Sequence, residues 1–164
     1  MTTETADWSR LWDMIKDIRY GMFTARHGDG HLHSRPMTTL NDQRDGVLWF
    51  FMSKSGEPAL DIVRHAEVNV SYADPTRESY VSISGSARLV EDLAKKKALW
   101  SPLAQAWFPG GASDPDLALV AVTIEQAEFW DVDSNKAVKL YEIAKAAVTG
   151  TKPNLGEHRE MRLR

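Results

Sequence analysis

A chain of 164 residues is long enough for one domain with a modest appendage and too short for two full cores. With 43% hydrophobic and 26% charged residues it has the balance of a globular protein, and 20 basic against 23 acidic residues leave a net charge of -3. No global basic field therefore exists to draw nucleic acid or an anionic membrane, and the absence of cysteine excludes disulfides, thiolate metal sites and a cysteine nucleophile. No apolar run approaches the roughly 18 residues of a membrane span, and the polar start from Met1 to Arg10 is unlike a signal peptide, so the expectation is a cytoplasmic protein.

Taken in chain order, Trp8, Leu11, Trp12, Ile15 and Ile18 recur at helical spacing behind a candidate N-cap at Asp7. Tyr20 to Arg26 and His31 to Leu40 read as the strands of a hairpin about the turn His27-Gly28-Asp29-Gly30. Asn41 to Gly46 is a polar turn, and the continuous apolar run Val47 to Met52 reads as a central strand. Ser53 to Gly56 is a polar loop leading into a short helix from Pro58 to Arg64, with proline where the first helical turn tolerates it. Val68 to Tyr72 and Tyr80 to Leu89 alternate as half-buried strands, with Gly85 marking a bulge or close approach. Helical spacing returns from Leu93 to Trp107, followed by strands at Leu117 to Ile124 and Glu128 to Val132 and a closing helix from Ala137 to Val148. Residues 1–150 are expected to form one domain and 151–164 a loosely held polar tail. About seven short strands joined mostly by turns predict a mainly β fold, an antiparallel barrel with peripheral helices.

The common catalytic signatures of hydrolases, kinases, zinc proteases and dinucleotide-binding enzymes are missing from the sequence. His27, His31 and His33, with Asp29 between them, read as solvated turn residues on differing faces, and no metal site is expected. Two features remain. Arg35 sits in a strand with Met37 and Thr39 on its own face, either as a surface ion-pair partner or as an anion clamp. Ser53-Lys54-Ser55-Gly56 gathers hydroxyls, amides and a lysine before a helix, either as ordinary capping or as a phosphate cradle. Trp107, Phe108 and Trp130 either wall a pocket or pack the C-terminal region onto the barrel, and Lys95-Lys96-Lys97 reads as a solvated helix face.

Four stretches taken together, Ser34-Arg35-Pro36-Met37, Leu48-Trp49-Phe50-Phe51, Val68 to Pro75 and Tyr80 to Ala87, resemble the pyridoxamine 5'-phosphate oxidase-like split barrels that bind flavin mononucleotide (FMN). The motifs Leu99-Trp100-Ser101-Pro102, Trp107 to Gly111, Glu128-Phe129-Trp130-Asp131 and Gly156-Glu157-His158 are similar to the general stress protein 26-like group. The resemblance implies an antiparallel split β-barrel and a homodimer with flavin in a groove between subunits. It implies that Arg35, Met37 and Thr38 line the flavin from one strand and Phe51, Met52, Ser53 and Lys54 from the next, with Tyr80, Trp107 and Trp130 as further cofactor residues. FMN is the implied cofactor, with FAD as the alternative. The family often carries a lysine early in the helix after the phosphate loop, where this chain has Gly56-Glu57-Pro58, so the implied phosphate affinity rests on Arg35 and Lys54 and is opposed by Glu57.

The expected function is that of a flavin-binding protein of the general stress type, an oxidoreductase acting on a small molecule that the sequence does not name. The alternative is a non-catalytic flavin sensor or a stress-related interaction module. A bound flavin carries the electron chemistry itself, which accounts for the missing acid–base constellation.

Overall fold

The computed structural model describes residues 3–40, 46–132 and 136–162; the expected turn at 41–45 lies outside them. Helix α1 (Thr3–Ile15) is followed by β1 (Gly21–Arg26), β2 (Leu32–Met37) and β3 (Val47–Ser53), then α2 (Glu57–Arg64), β4 (Glu67–Asp74) and β5 (Ser79–Val90). Two short helices, α3 (Leu93–Ala98) and α4 (Pro102–Trp107), precede the long β6 (Leu117–Val132), α5 (Lys136–Thr149) and β7 (Gly156–Arg162). Every strand pairing is antiparallel. The order is β2-β1-β4-β5-β6-β3, and β7 lies beside the second half of β6, on the edge whose first half holds β3. Beyond β2 the chain returns to β3, where the Leu40 amide donates to the Trp49 carbonyl at 2.9 Å, so the sheet curls until its two ends meet. The expected split barrel with peripheral helices is the observed architecture.

Alternation explains the interior. Phe23, Phe50, Val70, Ile83, Val120, Val122 and Phe129 face inward and are fully buried, and α1 and α2 add Leu11, Ile15, Ala59 and Ile62 to the same cluster. The run Val47 to Met52 does not alternate because both its faces are covered. Leu48, Phe50 and Met52 enter the barrel core, whereas Phe51 joins a second cluster with Leu99, Ala104, Leu117 and Leu119 beneath α3 and α4. At Gly85 the β5–β6 register shifts, and a Cβ there would stand 2.1 Å from the Thr123 carbonyl oxygen, so both expected reasons for a glycine hold.

Several boundaries differ from the sequence reading. Helix α1 starts at Thr3, which places Asp7 within the helix and not at its cap. The helix expected from Leu93 to Trp107 is two helices, because Pro102 cannot continue the first and Ser101 caps the second by accepting from the Ala104 amide. The strands expected at 117–124 and 128–132 are one strand, held together by β5 along its length, with the extra residue Glu125 absorbed where the register shifts. The polar tail contains β7, which pairs with β6 from Gln126 to Val132 and is pinned by Arg10 of α1, whose guanidinium contacts Asp131 at 3.1 Å and Glu157 at 2.5 Å. Among the described residues no helix is long and apolar enough to cross a membrane.

Candidate functional site

Strand parity decides what β2 presents. Arg35 pairs with Phe23 and Met37 with Gly21, so both side chains share the inward face of the sheet, while Ser34 turns outward to meet Thr24, hydroxyl to hydroxyl, at 2.6 Å. The Arg35 Nη1 atom is buried and has no hydrogen-bond partner among the described residues. An unmet buried donor costs about 1–3 kcal/mol, and more when charged, so a native structure that keeps one has a use for it. A guanidinium held this way is prepared for an anionic acceptor that no described residue provides.

Where the ends of β2 and β3 approach under α4 lies a cavity of about 510 Å³; Arg35 is not among its lining residues, but Pro36, Met37 and Thr38, which follow it in the chain, are. Met37, Thr38, Phe51, Met52 and Trp107, five of the expected site residues, line it together. The two strands supply one wall and α4 the other, with Leu103, Ala104 and Phe108 beside Trp107. Tyr20, Leu40, Leu103 and Ser101 are lining residues that the sequence reading left out; the spacing of Leu103, Ala104, Trp107 and Phe108 along one helix face was the available signal for the second wall. The size and apolar character suit a flat organic ligand.

The remaining expected residues stand elsewhere. Ser53 donates to Asp116 Oδ2 at 2.5 Å, the Ser55 amide donates to Asp116 Oδ1 at 2.8 Å, and Lys54 Nζ donates to Glu91 at 2.6 Å. The hydroxyl of Ser53 foremost, then Ser55, holds the Asp116 carboxyl below the usual carboxylate range, and Lys54 does the same for Glu91. The donors that could cradle a phosphate are thus already turned to the chain's own carboxylates. Tyr80 and Trp130 are cross-strand partners on β5 and β6, both partly exposed, and Trp130 stacks on His158 of β7 with centroids 5.0 Å apart. Neither lines the cavity.

Of the hairpin histidines, His31 is solvated as expected, whereas His27 and His33 share a face. His27 and His33 stack at 4.5 Å, and His27 Nδ1 lies 3.1 Å from the buried carboxylate of Asp61 in α2. That hydrogen bond foremost raises the His27 pKa above its usual value, against the lowering effect of desolvation. Among the described residues no group of three or more histidine and acidic side chains is arranged to hold a metal ion.

Residues 6–154 match the family model for "pyridoxamine 5'-phosphate oxidase like" proteins. The chain belongs to this family. Among solved structures, a general stress protein 26 assigned in Jannaschia sp. CCS1 is 29% identical, with a TM-score of 0.71 over 96% of this chain and 99% of that one. The general stress FMN/FAD binding protein of Xanthomonas citri is 31% identical, with a TM-score of 0.68 over 77% of this chain and 89% of that one. Among characterised proteins, the family member is 25% identical over 161 residues to protein bli-3 of Neurospora crassa, covering 92% of this chain and 77% of the relative.

Proposed function

We propose that this protein binds a flavin nucleotide, FMN with FAD as the alternative, between two copies of the chain, and that it acts as a flavin-dependent oxidoreductase. The observation that carries the reading is the buried, unpartnered Arg35 Nη1 on β2, the strand whose next residues, Met37 and Thr38, line an apolar cavity together with Phe51 and Met52. An anionic tail with a flat, largely apolar ring answers both features at once. The likeness to the Xanthomonas citri FMN/FAD binding protein supports the same ligand. A bound flavin would supply one- and two-electron chemistry, and the chain would bind it, orient it and shield it from water.

In this reading Arg35 holds the phosphate by a charge-assisted hydrogen bond, and Met37, Phe51 and Met52 provide dry contact surface. Thr38, whose hydroxyl has no partner among the described residues, offers a polar contact. Ser53 and Lys54 contribute only after exchanging Asp116 and Glu91 for the phosphate. Tyr80 and Trp130, being exposed on the sheet, would serve a flavin only across a subunit boundary.

The test is the absorption spectrum and mass of the purified protein before and after added FMN. A yellow dimer, or a colourless chain that takes up FMN stoichiometrically, supports the proposal; a monomer that ignores FMN and FAD overturns it. A non-catalytic flavin sensor is favoured by one observation, that Tyr20 is the sole ionisable side chain lining the cavity among the described residues. Bleaching by NADH or NADPH with reoxidation in air separates the enzyme from the sensor.

A further inference from the structure

The basic side chains around the cavity are largely spoken for. Lys54 is paired with Glu91, Lys95 lies over the Trp49 ring at 4.9 Å, and the buried Lys96 donates to the Leu117 carbonyl at 2.6 Å. Among the described residues the lining, from Tyr20 through Phe108, contains no charged side chain; its polar side-chain groups are the neutral hydroxyls of Tyr20, Thr38 and Ser101 and the indole N–H of Trp107. The Ser101 oxygen accepts from the Ala104 amide, which leaves its hydrogen to donate. On the α4 wall, Leu103, Trp107 and Phe108 offer a broad apolar surface, and Trp107 stands 69% exposed at its edge.

We infer that the molecule this cavity receives besides the flavin is an uncharged, flat, carbonyl-bearing ring compound, stacked on the α4 wall with a hydroxyl donating to its carbonyl oxygen. The inference rests on the flavin reading, in which Arg35 is taken by the cofactor phosphate. With the flavin on Met37, Phe51 and Met52, a phosphorylated or carboxylated ligand would bury its charge against Leu103, Trp107 and Phe108 with no cation among the described lining residues to meet it, and that desolvation is not repaid. A neutral ring forfeits nothing on entry, and aromatic side chains favour its stacking. The cavity thus discriminates by refusing charge, a penalty against the wrong ligand as much as an attraction to the right one.

Menadione, a neutral naphthoquinone, and pyridoxamine 5'-phosphate are titrated by calorimetry into the FMN-loaded dimer. Saturable binding of menadione with no detectable pyridoxamine 5'-phosphate heat is expected, and Leu103→Asp is expected to weaken menadione at least tenfold. Trp107→Ala, on a side chain already exposed, keeps the test open if Leu103→Asp does not fold, and is expected to weaken menadione several-fold with an unchanged circular dichroism spectrum. Tighter binding of the phosphorylated amine, or menadione binding that neither variant alters, overturns the inference. Failure of the flavin reading shows separately, as a protein that stays colourless with FMN.

Discussion

Replacing Arg35 by methionine separates binding from stability. The methionine keeps an unbranched apolar stem on the inward face of β2 and removes the guanidinium whose Nη1 is buried without a partner. Relief of one unmet buried donor is worth about 1–3 kcal/mol. For a chain of this length each kcal/mol moves the midpoint by about 2–4 °C, so the flavin-free variant should melt above the flavin-free wild type by about 2–12 °C. With flavin the gap narrows or reverses. Losing a hydrogen bond to a charged group costs about 1.5–3 kcal/mol, which weakens FMN roughly tenfold to 150-fold. A ligand at 100 times its dissociation constant stabilises by about 2.7 kcal/mol, and at that concentration the variant forgoes from about half of this to nearly all of it. Thermal unfolding with and without FMN, and a fluorescence titration of FMN, read the two effects. A flavin-free variant that melts below wild type would mean that Nη1 is satisfied in solution; an unchanged FMN constant would remove Arg35 from the site.

Glu57, exposed in the first turn of α2, should repel the phosphate, so Glu57→Lys is expected to tighten FMN up to about fivefold at low salt, an advantage lost as salt rises; an unchanged constant would place the phosphate away from α2. The same change should cost about 0.3–1 kcal/mol of helix stability by setting a cation against the N-terminal dipole, checked by thermal unfolding without flavin. His27, its pKa raised by Asp61, is protonated more readily in the folded chain than in the unfolded one. Its stabilising contribution is therefore complete below the unfolded pKa of about 6.5 and is lost as pH rises through the higher folded value. Melting curves from pH 5.5 to 8.5 should show wild type losing ground to His27→Gln over that window, and parallel profiles would count against the pair. Gly85→Ala drives a methyl into the Thr123 carbonyl and should cost about 1–3 kcal/mol or more, read as a denaturant midpoint shifted down at constant slope; a neutral result would show that the bulge can slide.

The barrel was legible because its strands advertise themselves locally. Val68 to Tyr72 and Tyr80 to Leu89 alternate, and the unbroken run at Val47 to Met52 announces two covered faces. What was not legible depended on partners far along the chain. β7 buries a single residue, Met161, so its sequence carries no apolar period; it is a strand because β6 offers it an edge and because His158 finds Trp130. The division of α3 from α4 was visible in Ser101-Pro102, a cap followed by a residue that cannot continue a helix, but the apolar spacing through it masked the break. At the site, the residues on the strand wall were expected from the family resemblance; strand parity alone would not bring together the successive residues Met37 and Thr38 or Phe51 and Met52. The fate of the Ser53–Lys54 loop did not, because Asp116 and Glu91 lie 63 and 37 residues downstream of their partners, and no local pattern foretells which carboxylate will reach which donor.

That distant pairing changes how the anion site works. A serine–lysine loop before a helix has the right groups for a phosphate, yet a carboxylate from the segment entering β6 already accepts from Ser53 and from the Ser55 amide. Asp116 is held ionised by those same donors, so it competes for them as an anion that is tethered and never dilutes. A phosphate must therefore either displace it, leaving an acid beside a bound anion, or bind without the loop. Of Arg35, Lys54, Lys95 and Lys96, Arg35 is the cation that retains an unmet buried donor, whereas the three lysines each have a partner. In the proposed site, affinity for an anionic tail should then follow one guanidinium rather than a shared basic cluster, and the proposed phosphate contact is weakened by the chain's own acids, while the apolar walls proposed to receive a ring are untouched by them.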